Sequence, residues 1–298
     1  MKKLINKIYC KLLRIYFSHG YSLRYLFLKH KEKKYSFKDY LSIVCIAKNE
    51  SKYIKEWIDF HLLIGVDKIY LYDNGSDDNL RAAVNSYIND GKLKYTYFPG
   101  KARQLDAYND AIENYKYCTK YMAFIDCDEF LLPEKKDSLK LIIDEIIMKN
   151  KRAAGIGVNW RMYGSSGLNC MPKGKVIESY LYRGNAAAPG NECIKTIANP
   201  RFIKKYEHVH YPTYFLGFNN VNEDGKLLLN YENYIKETKL IRINHYFTKS
   251  KEEWIIRRKN GKADTLNEND KRTIEEFYKH DNNDIYDDIM LKYSKLMK

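Results

Sequence analysis

The sequence lacks any cysteine pattern typical of a metal site or a disulfide framework. Its six cysteines are scattered over 298 residues, with no Cys-x-x-Cys pair and no Cys/His cluster. Structural zinc sites and disulfide-rich secreted domains both depend on regularly spaced cysteines. Neither class is therefore predicted, and a reducing compartment is the expected environment.

Signals for export, repeats and low-complexity tracts are also missing. The N-terminal stretch is too short and too charged to span a bilayer, and it lacks the long apolar core and cleavage site of a secretory signal. The composition is globular, because 45% of the residues are hydrophobic and 28 are tyrosines. A chain of this length can bury a sizeable core, as one large α/β domain with additions or as two domains.

Acidic residues are almost absent from residues 1–38. This segment holds eleven Lys and Arg against one acid, Glu32, and so carries ten of the fourteen net positive charges. Because the remainder is only mildly basic, a nucleic-acid partner is not predicted. Apolar residues between 4 and 17 recur at helical spacing and predict a basic amphipathic helix. Two interpretations stay open: attachment to an anionic membrane surface, which the lack of acids favours, or packing on the body of the protein.

The strongest motif is an apolar run that meets three acids within four positions. Residues 121–125 predict a strand buried on both faces, and apolar residues resume after the acids as far as Pro133. Along a continuous strand, Asp126 and Asp128 would share one side, with Cys127 facing away. Two carboxylates beside an apolar core need a compensating cation, and a divalent metal suits this role. The alternative is a solvated turn with unrelated acids.

Short apolar runs alternate with helical patterns around this motif. The alternation predicts a right-handed, mostly parallel sheet flanked by helices, with the strand ends around one crevice. Asn49 or Ser51 is expected to cap the first helix of this sheet. Residues 164–214 show weak periodicity, which is typical of binding loops. The predicted strands are 41–47, 68–72, 93–98, 153–160 and 240–246, and the predicted helices are 54–62, 80–88, 105–115, 139–148, one opening at 248 and two stretches after 267.

A series of short motifs also recurs in a characteristic order. They are Ala47–Glu50, Glu56-Trp57 with His61, Tyr72-Asp73-Asn74 with Ser76 and Asp78, Gln104, Phe124–Phe130, Trp160 with Gly164–Gly167, and Asn244-His245-Tyr246 followed by Lys249-Ser250. Together they resemble glycosyltransferase family 92 and its bacterial family 2-like relatives, over roughly residues 41–290. The resemblance implies a GT-A (Rossmann-like) fold, a nucleotide-sugar donor such as a UDP-hexose (UDP-galactose, for example), Mn²⁺ or Mg²⁺, and inversion at the anomeric carbon.

The resemblance also implies roles for individual residues. Asp126 and Asp128 match the family's Asp-x-Asp site for metal and diphosphate, and His245 matches a histidine that reaches the metal or diphosphate from a later strand. Donor contacts are implied for Lys48, Asn49, Glu50, Asp73 (at the nucleobase), Lys101, Arg103, Gln104 and Asp126. Acceptor contacts are expected at Trp160, Ser165 and Ser166. Glu178 and Glu192 are the candidates for the base that takes the acceptor's proton, and a surface acid is the alternative for each.

The resulting prediction is a metal-dependent inverting glycosyltransferase of surface-polysaccharide or lipid-linked glycan synthesis. It would act on a glycan or lipid-linked acceptor, in the cytoplasm, peripherally at the inner face of the cell membrane. The predicted parts are a basic segment (1–38), a GT-A domain (39–260, with a nucleotide-sugar half to 150 and an acceptor half from 151) and C-terminal helices (261–298). A nucleotidyltransferase, which would release pyrophosphate, and a non-catalytic polyanion-binding protein are the alternatives.

Overall fold

The computed structural model describes residues 23–135, 138–259 and 273–297, and it centres on one nine-stranded sheet. The helix predicted between residues 4 and 17 lies outside the described residues. The strands are β1 (Asp39–Ala47), β2 (Lys68–Asp73), β3 (Leu93–Tyr97), β4 (Thr119–Phe124), β5 (Glu129–Pro133), β6 (Ala153–Met162), β7 (Tyr182–Arg183), β8 (Ile194–Ala198), β9 (Ile203–His208), β10 (Tyr211–Tyr214), β11 (Asn219–Val221), β12 (Ile241–His245) and β13 (Ile285–Tyr286). The helices are α1 (Leu23–Glu32), α2 (Ile54–Leu63), α3 (Leu80–Ala83), α4 (Asn85–Asn89), α5 (Gln104–Tyr115), α6 (Leu139–Met148), α7 (Val176–Ser179), α8 (Lys251–Lys259), α9 (Ile274–His280) and α10 (Leu291–Ser294).

The strands of the central sheet follow the order β3-β2-β1-β4-β8-β6-β12-β5, and β11 pairs with β6. Strands β1 to β4 run parallel, as the alternation of strands and helices predicts, so their carboxyl ends share one edge. Strand β8 runs antiparallel to both β4 and β6, and β5 runs antiparallel to β12. The predicted α/β class is confirmed, and the sheet is mixed rather than purely parallel.

Helix α2 covers the outer edge of β5, which ends the sheet. The apolar face predicted for α2 is buried. From this helix the Trp57 indole donates to the carbonyl of Glu129 at 2.7 Å, and the amide of Leu131 donates to Nε2 of His61 at 3.2 Å. Burial lowers the pKa of His61 to about 3, so the ring is neutral and can accept this bond. The motif containing Trp57 and His61 therefore satisfies an edge strand that would otherwise expose unpaired amides.

The single strand predicted across the acid motif is wrong, because the chain turns there. Strand β4 ends at Phe124, and the amide of Glu129 donates to the carbonyl of Asp126 at 3.1 Å, which closes a turn over the acids. The Glu129 carboxylate accepts from the Asp126 amide at 3.0 Å and fixes the same turn. Aspartates favour such turns because their side chains compete with strand hydrogen bonding. Alternation along a strand therefore does not set the direction of the two acids.

The predicted caps of α2 are also wrong. The helix begins after Tyr53, and no side chain caps it. Asn49 has a positive φ of 58° and accepts from the amide of Asp77 at 3.0 Å, while the amide of Ser51 donates to Asp78 at 2.8 Å. These polar residues therefore join the loops after β1 and β2 instead of capping a helix.

Two other predictions of local structure are wrong. Residues 164–214 hold the central strand β8, which escaped prediction because Lys195 and Thr196 interrupt its short apolar run. Both side chains are buried and bonded within the fold. The helix predicted at 80–88 is two short helices that meet at Val84.

Both ends of the described chain pack on the central body. On α1, the buried Tyr25 ring lies 4.7 Å from that of Phe218, and Glu32 pairs with Arg201 at 2.8 Å. At the other end, α9 and α10 follow residue 273, as the two predicted helical stretches require, and Phe277 packs against Trp254. Among the helices in the described ranges, none is long and apolar enough to cross a membrane.

Candidate functional site

The candidate site lies at the shared carboxyl edge of β1, β2 and β4. Ala47 pairs with Asp73 in the sheet register, and Val44 pairs with Phe124, so the loops that follow these strands open into one crevice. The amide of Asn49 donates to the Ser76 hydroxyl at 3.0 Å and joins two of the loops. In an open α/β sheet this edge is where ligands bind.

Asp73 ends β2 and is already hydrogen-bonded through both of its carboxylate oxygens. Oδ1 accepts from the Ser76 amide at 2.8 Å, and Oδ2 accepts from the Tyr95 hydroxyl at 2.5 Å. The neighbouring Asn74 is buried, and its Oδ1 has no hydrogen-bond partner among the described residues. A buried amide oxygen without a donor is a good acceptor for a ligand N–H or O–H.

The other residues predicted to contact the sugar donor differ in their exposure and in their partners. Lys48 and Lys101 are exposed. Arg103 lies over the ring of Phe98 at 4.3 Å and pairs with Asp106. Gln104, the first residue of α5, donates to Asp126 Oδ1 at 2.7 Å. Glu50 faces Lys249, with 3.9 Å between its Oε2 and the ammonium.

Asp126, whose side chain is 32% exposed, belongs to an ionic network with two buried residues. Its Oδ2 accepts from the ammonium of Lys195 at 2.8 Å, and this lysine on β8 is only 1% exposed. The same ammonium lies 3.8 Å from Glu129 Oε1, an oxygen that has no hydrogen-bond partner among the described residues. Burial and the charges of Asp126 and Asp128 raise the pKa of Glu129 well above its ordinary value, despite Lys195. Asp126 therefore takes its counter-charge from the protein.

Asp128 has different partners, which come from β12 and α8. Its Oδ2 accepts from the Arg257 guanidinium at 2.7 Å, and its Oδ1 lies 3.5 Å from His245 Nε2. Burial alone would raise the pKa of Asp128, but Arg257 and His245 outweigh burial and hold it well below the usual range. Asp128 is therefore ionised throughout the neutral range.

His245 and Trp160 carry polar atoms that the described residues do not satisfy. The two rings lie 4.3 Å apart, centroid to centroid, and Trp160 also lies 4.9 Å from His210. Neither Nδ1 of His245 nor Nε1 of Trp160 has a hydrogen-bond partner in the described part of the chain. Buried polar atoms are normally paired, so these two nitrogens mark a place for a ligand or water.

The residues predicted to hold metal fall into two groups. No set of three His, Cys, Asp or Glu side chains among the described residues is arranged to hold an ion. Asp128 faces His245 through Oδ1 and accepts from Arg257 through Oδ2. Asp126 is engaged through both oxygens, by Gln104 and Lys195. Mg²⁺ and Mn²⁺ need few protein ligands when substrate phosphates and water complete the shell. The pair therefore fits an ion shared with a diphosphate, rather than an ion held by protein alone.

The two serines predicted at the acceptor site are bonded within the protein. The amide and hydroxyl of Ser165 donate to Asp281 at 2.6 and 3.0 Å. The Ser166 hydroxyl accepts from the amides of Leu181 and Tyr182 at 2.8 and 3.1 Å. The Ser165 contacts tie the loop after β6 to the C-terminal segment, and the Ser166 contacts tie it to the start of β7.

The two candidate bases are held in unequal ways. Glu178 lies in the first turn of α7, where it contacts the Ser294 hydroxyl and Lys175. The Ser294 hydrogen bond is the main cause that lowers the pKa of Glu178, which makes it a weaker base. Glu192 is half-buried, and its Oε2 accepts from the Gly190 amide at 3.0 Å.

Three charged residues in the crevice were not predicted as site residues: Glu129, Lys195 and Arg257. Glu129 lies inside the acid motif, and this position could have identified it as a site residue. Lys195 lies in the stretch taken for irregular loops. Arg257 follows Asp128 by 129 positions, and no local pattern relates the two.

Several solved structures are similar to this chain at low sequence identity. Residues 1–349 of TarS from S. aureus match with a TM-score of 0.39 and 16% identity, over 70% of this chain and 60% of that one. A glucosyl-3-phosphoglycerate synthase from Mycobacterium tuberculosis, in complex with Mn²⁺, UDP and glucosyl-3-phosphoglycerate, matches with a TM-score of 0.28 and 19% identity, over 48% and 49%. Scores this low carry no argument about the site.

The sequence relatives are more informative. A glycosyltransferase family 92 protein of Ricinus communis is 27% identical over 199 residues, which are 65% of this chain and 35% of the relative. One from Oryza sativa subsp. japonica is 26% identical over 198 residues, or 65% and 33%. The chain thus spans about a third of the length of these curated relatives. The family model for glycosyltransferase family 92 matches residues 40–282, from β1 to beyond α9. The chain therefore belongs to glycosyltransferase family 92.

Proposed function

We propose that this protein transfers a sugar from a nucleoside-diphosphate sugar, and that the diphosphate binds beside Asp128 and His245. The observation that carries this proposal is the Asp128–His245 pair, with its unsatisfied imidazole nitrogen, at the strand edge where α/β enzymes bind ligands. The departing nucleoside diphosphate gains negative charge, so a site for it must supply positive charge. Arg257, which pairs with Asp128, is placed to do so.

The metal in this proposal is Mn²⁺ or Mg²⁺, held by Asp128 and His245 together with the diphosphate. The bound ion would neutralise charge that develops on the leaving diphosphate. Within the chain, Arg257 keeps Asp128 ionised, and Lys195 and Gln104 hold Asp126 and thereby the acid turn. Asp126 then acts mainly by positioning Asp128.

The nucleoside in this proposal lies between the loops after β1 and β2. Asp73, with both oxygens engaged, shapes the loop, while the unsatisfied Oδ1 of Asn74 accepts a hydrogen bond from the base or ribose. A UDP-hexose such as UDP-galactose is the proposed donor.

The acceptor in this proposal is a glycan or lipid-linked saccharide bound near Trp160. The apolar ring and unsatisfied N–H of this residue suit a sugar face and a sugar hydroxyl. Inversion requires a base that takes the proton of the attacking hydroxyl. Glu192 is the better of the two candidates, because Glu178 is tied to Ser294 and Lys175.

A screen of nucleotide sugars for slow hydrolysis tests the proposed activity without knowledge of the acceptor. We expect release of a nucleoside diphosphate that depends on Mn²⁺ or Mg²⁺ and is lost in Asp128→Asn. Release of pyrophosphate from nucleoside triphosphates instead would indicate a nucleotidyltransferase. Binding of polyanions without turnover, unchanged in Asp128→Asn, would indicate a non-catalytic protein.

We also propose peripheral attachment of residues 1–38 to an anionic membrane surface at the cytoplasmic face. Helix α1 is anchored through Tyr25 and Glu32, which leaves Leu26 and Phe27 on its outer face 53% and 61% exposed. Each Lys or Arg near such a surface contributes about 1 kcal/mol. Flotation with phosphatidylserine vesicles, but not with phosphatidylcholine vesicles, is expected, and deletion of residues 1–22 should weaken it. Equal flotation of both proteins would contradict attachment through this segment.

A further inference from the structure

Lys249 is a buried cation that the proposed mechanism has not used. It lies in the loop between β12 and α8, and its residue is 1% exposed. Its ammonium is 3.9 Å from Glu50 Oε2 and 3.7 Å above the ring of Tyr53. Neither contact is as short as a hydrogen bond, so the Glu50 carboxylate forms only a loose ion pair with this ammonium. A buried ammonium ordinarily requires a close, hydrogen-bonded partner.

The backbone of Lys249 is held in an unusual conformation. Its φ is +51°, in the left-handed region that side chains other than glycine rarely adopt. The flanking residues fix this geometry: the hydroxyl of Thr248 donates to the carbonyl of Tyr163, and the hydroxyl of Ser250 donates to Glu253 Oε2 at 2.5 Å. Strain that the surroundings maintain in this way is commonly found at ligand sites.

Glu253 is the centre of the support for this loop. Its carboxylate accepts from the hydroxyls of Tyr53 and Tyr180, and the Ser250 amide donates to the Tyr180 oxygen at 3.0 Å. These bonds engage both Glu253 oxygens. The loop therefore holds rigidly an ammonium whose ion pair with Glu50 is loose.

The position of Lys249 relates it to the acid turn. Burial raises the pKa of Asp128, whereas Arg257 and His245 lower it most. The charge of Lys249 lowers it further. Glu50, its nearest carboxylate, follows β1 at the same crevice. A multiply charged anion beside Asp128 would give Lys249 a closer partner than Glu50.

We propose that Lys249 binds the diphosphate of the donor and of the departing nucleoside diphosphate. This inference rests on the proposed function. In transfer, the acceptor oxygen bonds to the anomeric carbon and gives its proton to the base, while the electron pair of the broken C–O bond stays on the diphosphate. Lys249 stabilises that oxygen's charge and so acts in both binding and catalysis.

Calorimetric titration of matched nucleotides tests this role. UDP, GDP, ADP and CDP are each titrated into the full chain with Mg²⁺, and the tightest binder is then compared with its monophosphate. Lys249→Met should lower the affinity for the nucleoside diphosphate by about tenfold or more, because a hydrogen bond to a charged group is lost. The monophosphate should bind within about twofold of its wild-type affinity, since its contacts are unchanged.

Lys52→Met is the matched control. Lys52 also lies over the Tyr53 ring, at 4.9 Å, but it is exposed and donates to the carbonyl of Pro172. The Lys52→Met variant should bind the nucleoside diphosphate and the monophosphate with unchanged affinity. Equal affinity of Lys249→Met and wild type for the diphosphate would overturn the role of Lys249 while the proposed function stands. If wild type binds no nucleoside diphosphate, the proposed function fails and this inference fails with it.

A second variant covers the case in which Lys249→Met does not fold. Glu50→Gln removes the carboxylate nearest to the ammonium, so Lys249 should attract a diphosphate more strongly. The ratio of diphosphate to monophosphate affinity should then rise, whatever Glu50 contributes to the nucleoside. An unchanged or lower ratio would contradict the inference.

Discussion

Asp126 and Asp128 stand two positions apart on one turn, but they belong to two different parts of the molecule. Asp126 is bonded to α5 and β8, through Gln104 and the fully buried Lys195. Asp128 is bonded to α8 and faces β12, through Arg257 and His245. Two residues of one motif are therefore held for different tasks.

Each acid has a cation at hydrogen-bonding distance, and their surroundings differ in which atoms are left unsatisfied. Beside Asp126 and Lys195, the unsatisfied atom among the described residues is a carboxylate oxygen, Glu129 Oε1. Around Asp128, His245 Nδ1 and Trp160 Nε1 lack hydrogen-bond partners among the described residues, and the Lys249 ammonium has a loose ion pair with Glu50 at 3.9 Å. The first environment is suited to holding a turn in place, and the second is suited to receiving an anionic ligand. This contrast can be tested by substitution on each side.

The largest effect on stability is expected on the Asp126 side, from Lys195→Met. Removing Lys195 leaves buried Glu129 and the 32% exposed Asp126 without their cation. Because water partly screens Asp126, the cost should lie between the roughly 0–1 kcal/mol of a surface pair and the roughly 3–5 kcal/mol of a fully buried one. Urea unfolding would measure this loss. Lys120→Met is the control, because its pair with Asp144 is at the surface and should contribute about 0–1 kcal/mol. Equal losses in both variants would contradict an ionic network with buried residues at Asp126.

On the Asp128 side the largest effect is expected on activity. Asp128→Ala should lower the rate of transfer or of donor hydrolysis by roughly 10²–10³-fold, a loss typical of removing one electrostatic group from a site. The fold should survive, which a thermal unfolding transition would confirm. Full activity of Asp128→Ala would place the chemistry elsewhere.

A smaller effect is expected from His245→Ala. Because one of the two proposed protein ligands is lost, the metal requirement should rise by roughly 10-fold or more, and high Mn²⁺ should restore part of the rate. A titration of activity against Mn²⁺ measures this shift. A uniform loss that no Mn²⁺ concentration corrects would show that His245 acts through packing against Trp160 instead.

The smallest effect is expected from Glu129, which should change how the free energy of unfolding depends on pH. A carboxyl group whose pKa is raised by folding keeps its proton in the folded state while the unfolded chain loses it. Its contribution to stability is therefore full below the unfolded pKa and decreases as pH rises toward the folded pKa, by at most about 1.4 kcal/mol per pH unit. Glu129→Gln, which cannot ionise, should lose less stability than wild type between pH 5 and pH 8 in urea unfolding. Parallel curves would contradict the raised pKa.

Local patterns predicted much of the fold, and Leu139–Met148 was predicted as α6 with its observed bounds. The loops after β1, β2 and β4 were also expected at one edge, because parallel strands leave no other arrangement. The turn over Asp126 was not predicted, since apolar residues on both sides imitate a continuous strand.

The partners of the two acids could not be predicted from local patterns. Lys195 follows Asp126 by 69 positions and Arg257 follows Asp128 by 129, and only the packing of β8 and α8 brings each pair together. His245 was singled out by the family resemblance, not by its local sequence. Periodicity identifies elements, whereas the charges that face each other depend on tertiary structure.

Binding of Mn²⁺ in the presence of UDP tests the central contrast most directly. Electron paramagnetic resonance reports the free ion, so bound Mn²⁺ can be compared between Asp128→Asn and Asp126→Asn at equal concentrations. We predict that Asp128→Asn loses nucleotide-dependent Mn²⁺ binding, while Asp126→Asn retains most of it because Lys195 and Gln104 already hold that side chain. Loss of binding in Asp126→Asn with binding preserved in Asp128→Asn would contradict the account.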